Sequence, residues 1–144
     1  MSLKQISVFL ENKPGMMFAV TELLAQNHID MRALSLAETS EFGIVRIIVD
    51  DAYATSTLLK DAGFIHNITP VLGVAIPDEP GGLHHVLAAL KEADINVEYM
   101  YAFLGGKSSD HAYMIFRVQD NKAAVAAMRA KGIRCVDQEE IARL

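Results

Sequence analysis

Glu11-Asn12-Lys13-Pro14-Gly15-Met16-Met17 returns 66 residues later as Pro77-Asp78-Glu79-Pro80-Gly81-Gly82-Leu83. Working outward from that pair, the same offset brings Val8 onto Val74, Val20 onto Val86, Leu24 onto Leu90 and Ile29 onto Ile95. A three-residue insertion around Gly105-Gly106-Lys107-Ser108 then moves the offset to 69. Val49 meets Val118, Asp51 meets Asp120, Ala54 meets Ala123 and Gly63 meets Gly132. The matches fall on turn residues and on apolar positions of regular period, where backbone geometry and packing restrict the choice most. Ordered Pro-Gly, Asp and Gly punctuation marks an internal repeat.

Each repeat reads alike. Ile6, Val8 and Leu10 alternate with Ser7, Phe9 and Glu11, the period of a strand, and Leu72, Val74 and Ile76 do the same. After the Pro-Gly turn, Met17, Val20, Leu23 and Leu24 fall at helical spacing, as do Leu83, Val86, Ala89 and Leu90. Two strands follow: Met31–Glu38 and Ile44–Val49 in the first repeat, Val97–Leu104 and Ala112–Val118 in the second. Asp51 and Asp120 stand where a carboxylate caps a helix start, and Gly63 and Gly132 where a helix ends. Final strands Phe64–Ile68 and Ile133–Val136 close each repeat. The order β-α-β-β-α-β is the ferredoxin-like pattern. The expected class is therefore α+β: two tandem βαββαβ units with antiparallel sheets, residues 1–69 and 70–144, meeting near Thr69-Pro70. With no linker at that seam, and with Ile44–Val49 apolar on both faces apart from Arg46, the units are expected to pack together.

The 144 residues carry 13 Lys and Arg against 18 Asp and Glu, a net charge of −5, which disfavours nucleic acid as a partner. RNA-recognition domains share this element order, but they need aromatic and basic residues on particular strands. The stripe Tyr99, Tyr101, Phe103 lies on the wrong strand for that role; it either packs or walls a pocket. No apolar run approaches the roughly 18 residues of a membrane span, and Met1–Gln5 shows no signal-peptide core. A single cysteine, Cys135, excludes an internal disulfide. A cytoplasmic location is expected.

The two Pro-Gly loops open helices, whose first N–H groups carry partial positive charge worth about 0.3–1 kcal/mol to an anion. Such a turn also simply starts a helix, and neither loop has the glycine spacing of a nucleotide motif. The run Asp78-Glu79-Pro80-Gly81-Gly82-Leu83, with Leu90 and Ala93-Asp94-Ile95-Asn96-Val97, resembles the ACT domain family. Asn12-Lys13-Pro14-Gly15-Met16-Met17, with Leu24 and Ile29-Asp30-Met31, is a weaker version. The resemblance spans nearly the whole chain as two copies. It implies a non-catalytic regulatory module that binds a free amino acid where two such modules meet, using the first loop and the start of the second strand. The implied ligand residues are Asn12, Lys13, Gly15, Met16, Met17 and Asp30 in the first copy, and Asp78, Gly81, Gly82, Leu83 and Asn96 in the second. Because Asp30 and Met16 depart from the family pattern, the second copy is expected to dominate, through Asp78, Gly81 and Asn96.

His84-His85, His28, His66 and His111 form no metal-ligand spacing, and Cys135 in an apolar strand reads as a core residue. No nucleophile–base pair and no carboxylate pair at helical spacing is visible. No catalytic residue, metal or cofactor is therefore expected. The alternative is a small enzyme or a partner-binding structural module on the same scaffold. The two units use all 144 residues, so output is expected through a homodimer or higher oligomer, or through a regulated enzyme partner.

Overall fold

A computed structural model describes residues 2–38, 41–104 and 111–144, which fall into two compact units. The first unit, Lys4–Thr69, contains most of β1 (Leu3–Glu11), then α1 (Met16–Gln26), β2 (Met31–Glu38), β3 (Phe42–Val49), α2 (Ala52–Asp61) and the start of β4 (His66–Pro77). Strand order is β2-β3-β1-β4, with β3 antiparallel to both β1 and β2. Pairing Ile6 with Ile47 and Val8 with Val45 stacks the alternating apolar residues on one face. Val20 and Leu24 of α1 and Leu59 of α2 pack on that face, all essentially inaccessible. Ile48, on the opposite face of β3, is equally buried. On that face of β1, Gln5 Nε2 donates to Ser7 Oγ at 3.0 Å, which satisfies two buried polar groups.

The second unit comprises Pro70–Leu144 together with Leu3. It continues along β4 into α3 (Gly82–Glu92), β5 (Val97–Ala102), β6 (His111–Val118), α4 (Asn121–Ala130), β7 (Arg134–Val136) and α5 (Gln138–Arg143). Its strand order is β5-β6-β4-β7, all antiparallel. Leu72, Val74 and Ile76 of β4 meet Val86 and Leu90 of α3, Phe116 and Val118 of β6, and Met128 of α4. Each unit is thus a βαββαβ fold with two helices on one sheet face, as the periodicity predicts.

The repeat extends to backbone detail. Asp51 Oδ1 accepts from Ala54 N–H and Asp120 Oδ1 from Ala123 N–H, each at 3.0 Å. Gly63 and Gly132 are left-handed after α2 and α4, with φ of 84° and 73°. His28 and Asp94, at equivalent positions after α1 and α3, both hold positive φ despite having side chains, at 55° and 58°.

Three features differ from the sequence expectation. β4 is one twelve-residue strand running through Thr69-Pro70, because proline's fixed φ suits extended backbone. β5 ends at Ala102, and the insertion read around Gly105-Gly106-Lys107-Ser108 lies outside the described residues. α5 was not expected. Asp137 Oδ1 caps it by accepting from Glu140 N–H at 2.8 Å, and its Ile141 is fully buried. Among the described residues no helix is long and apolar enough to cross a membrane.

Candidate functional site

The first loop joins β1 to α1 in a tight turn. Lys13 N–H donates to Glu11 C=O at 3.0 Å, and Met16 N–H reaches Lys13 C=O at 3.5 Å. Gly15 takes the left-handed conformation, φ 87°, and opens α1 with no side-chain cap. The loop is tied to the far end of β2: Asn12 Nδ2 donates to Glu38 Oε2 at 3.3 Å, and Asn12 N–H to Glu41 C=O at 3.0 Å. Lys13 Nζ pairs with Glu11 Oε2 at 3.1 Å. Beside these groups is a cavity of about 200 Å³. Glu11, Asn12, Lys13 and Gly15 border it from the loop, and Met16, Met17 and Phe18 from the helix. Leu10, Gly43, Leu36 and Glu38 border it from the sheet. Leu10, Gly43 and Glu38 form one cross-strand row, since Gly43 pairs with both of the others.

Asp30 lies elsewhere. α1 carries the chain back to the starting end of β1, so Asp30 precedes the opposite end of β2 from Glu38. Eight strand residues, about 26 Å, separate those ends. There Asp30 N–H donates to Asp50 Oδ1 at 3.4 Å, Asp50 N–H donates to Asp30 C=O at 3.3 Å, and the Asp30 carboxylate pairs with Arg32 at 3.4 Å. Within one unit, the fold brings together Asn12, Lys13, Gly15, Met16 and Met17 but not Asp30.

The second loop closes more tightly. Glu79 N–H donates to Pro77 C=O at 2.9 Å and Gly82 N–H to Glu79 C=O at 3.1 Å, with Gly81 left-handed at φ 86°. A Cβ on Gly82 would stand 2.3 Å from the Pro77 carbonyl oxygen, so this turn admits only glycine at its helix entry. Leu83 packs against the core of its unit, leaving Asp78 exposed on the loop. Asn96 precedes β5, again at the other end of the unit from Asp78. With Lys91, Asp94 and Ile95 it borders a separate shallow cavity of about 330 Å³.

Of the remaining singled-out residues, His66 has a partner at each ring nitrogen. Its Nε2 lies 2.7 Å from Ser56 Oγ and its Nδ1 3.1 Å from Phe64 C=O. A carbonyl can only accept, so Nδ1 carries a proton, and in the neutral ring Nε2 accepts from the serine hydroxyl. That arrangement ties α2 to the start of β4. Burial pushes the Cys135 thiol up from its ordinary pKa, only partly offset by the Arg129 guanidinium nearby. The thiol therefore stays protonated near neutral pH and is a poor nucleophile. Tyr99 and Tyr101 stack with centroids 6.5 Å apart, and Phe103 tilts against the buried Tyr113 at 5.9 Å. Among the described residues no three His, Cys, Asp or Glu side chains converge to hold a metal ion.

Sequence reasoning missed Leu36, Glu38 and Gly43. Their only signal was register: antiparallel pairing sets the end of β2 and the start of β3 beside the end of β1.

The fold and loop geometry agree with the comparisons. The chain belongs to the ACT domain family of regulatory modules: residues 1–144 match the family model described as an ACT domain pair. The crystal structure of protein BT0572 from Bacteroides thetaiotaomicron is similar at 35% identity, over 100% of this chain and 98% of that one, with a TM-score of 0.92. The regulatory subunit of aspartate kinase from Thermus thermophilus, in its ligand-free form, shares the fold at 18% identity, over 88% of this chain and 91% of that one, TM-score 0.65. The corresponding subunit from Thermus flavus does so at 16% identity, covering 88% and 90%, with a TM-score of 0.60. No curated protein sequence matches the chain.

Proposed function

We propose that this ACT pair is a regulatory protein that senses a free amino acid at the β1–α1 loop of its first unit. The observation that carries this reading is the cavity there, bordered by groups of both charges and an apolar wall. Glu38, already accepting from Asn12, has the chemistry to receive an α-ammonium group. Lys13 and the uncapped first turn of α1 suit an α-carboxylate. Asp30 and Asn96, at the starts of β2 and β5, lie away from this loop and belong to a site completed by a second ACT module. The likeness in fold to aspartate kinase regulatory subunits fits an output through a partner enzyme or through assembly of copies. On this reading the chain works in the cytoplasm and leaves catalysis to its partner.

Calorimetric titration with the common L-amino acids tests the reading. One of them should bind, and at about 100 times its Kd should stabilise the chain by roughly 2.7 kcal/mol. Asn12→Ala removes a hydrogen bond to a charged group, worth about 1.5–3 kcal/mol, and should weaken binding roughly tenfold to 150-fold. Silence from every amino acid at millimolar concentration would refute the proposal.

A further inference from the structure

We infer that the amino acid selected at this loop carries an uncharged, apolar side chain of middle size, of the leucine or methionine class. This rests on the reading that the loop binds an amino acid, and adds which kind. The charged groups of the cavity are Glu11, Lys13 and Glu38, and the last two are the ones that take the ends of a zwitterion. Lys13 is paired with Glu11, and Glu38 is bonded to Asn12. Once a zwitterion's ammonium and carboxylate have been received there, the remaining wall is mostly apolar, with the side chains of Leu10, Met16, Met17, Phe18 and Leu36. A charged side chain lying along that wall would exchange water for apolar contact, away from Glu11 and Lys13, which pair with each other, and that is costly. An apolar one gains by covering it. Phe18 is 67% exposed and Leu36 53%, large apolar surfaces left open at the rim of the cavity. The two methionines, unbranched and polarizable, adapt to more than one apolar shape.

Gly43 sets the depth. A Cβ placed there would meet Leu36 Cδ1 at 3.5 Å and nothing closer, so the floor has room for a methyl group that the sequence leaves out. The cavity, about 200 Å³ with Phe18 and Leu36 open at its rim, offers a middle-sized apolar side chain this floor and those two side chains to cover.

The test is isothermal titration calorimetry on the full chain with L-leucine, L-methionine, L-phenylalanine, glycine, L-aspartate and L-lysine. Leucine and methionine should bind at least about tenfold tighter than glycine, aspartate or lysine, the scale that methylene contacts supply. Glu38→Gln should weaken every ligand and leave the ranking unchanged. Gly43→Val should cut leucine affinity about tenfold or more. Leu36→Ala, at an exposed position that does not endanger folding, should cut leucine and methionine affinity while sparing glycine. If aspartate or lysine ranked first and responded to Glu38→Gln, the selectivity would be overturned while the amino-acid site stood. Leucine binding untouched by Glu38→Gln, Gly43→Val and Leu36→Ala would move the ligand elsewhere and overturn the inference. Absence of any binding would overturn both it and the reading beneath it.

Discussion

The two β1–α1-type loops of this chain begin from nearly the same sequence and end as different objects. Pro14-Gly15 and Pro80-Gly81 give the same left-handed helix entry, φ 87° and 86°. One position later they part. Gly82 lets the second turn close to 3.1 Å between Gly82 N–H and Glu79 C=O, with the Pro77 carbonyl where a side chain would be. Met16 holds the equivalent contact of the first turn at 3.5 Å and lends its side chain to a cavity wall. In the first copy, then, the departure from the double-glycine pattern accompanies a looser turn and puts a methionine side chain in the cavity wall. A family motif can mark the location of a loop while its replacement residue shapes what the loop can hold.

Exchanging the divergent residues breaks the comparison most sharply. Gly82→Met puts a Cβ into the Pro77 carbonyl, and overpacking of this kind costs about 1–3 kcal/mol. At about 2–4 °C per kcal/mol for a chain near 150 residues, the melting temperature should fall by roughly 2–12 °C in differential scanning calorimetry. Met16→Gly meets no such wall; its cost comes from losing a half-buried side chain packed on the core of the first unit, together with about 0.5–1 kcal/mol for glycine in a helix. A Gly82→Met chain as stable as the parent would mean that the loops do not differ as described.

The helix caps supply a control in which the copies should behave alike. Asp51 and Asp120 bond the third residue of their helices at the same 3.0 Å. Asp51→Ala and Asp120→Ala should each cost about 1 kcal/mol, read from urea unfolding. A gap much beyond a few tenths of a kcal/mol would show that the units differ even where their local geometry agrees.

Cys135 gives the smallest effect and reports on one unit alone, since the sequence has no other cysteine. Burial raises its pKa in the folded state, so the folded chain holds this proton to higher pH than the unfolded chain does. Its contribution to stability is full below the unfolded thiol value, about 8.5, and is lost as pH rises through the folded one. At pH 8 alkylation of the native protein should be slower than that of free cysteine. Cys135→Ala should flatten the alkaline decline in stability. Alkylation as fast as free cysteine would place the thiol in solvent and remove the argument from burial.

Periodicity, turn residues and capping aspartates made both βαββαβ units legible, because each of those signals acts within a few residues of chain. α5 is legible too, in principle: Asp137 followed three residues later by Glu140 is a capping pattern, but a final strand at Ile133–Val136 already completes the second unit. The site was legible only in part. The loop residues Asn12, Lys13, Gly15, Met16 and Met17 are contiguous, so the motif that marks one marks all. Glu38, Leu36 and Gly43 come from two other strands, and nothing in their local sequence points to the loop.

By itself, then, the sequence determined the local elements, the repeat and the place of each Pro-Gly helix entry. Those depend on dihedral preference, on side-chain period and on hydrogen bonds between near neighbours. Only the tertiary structure decided that Asn12 faces Glu38 rather than Asp30, that Gly43 leaves a floor open beneath Leu36, and that Gly82 closes one loop where Met16 leaves the other open. These depend on antiparallel register and on the return of α1 across the sheet, which set residues tens of positions apart within bonding distance and part others that the motif had joined.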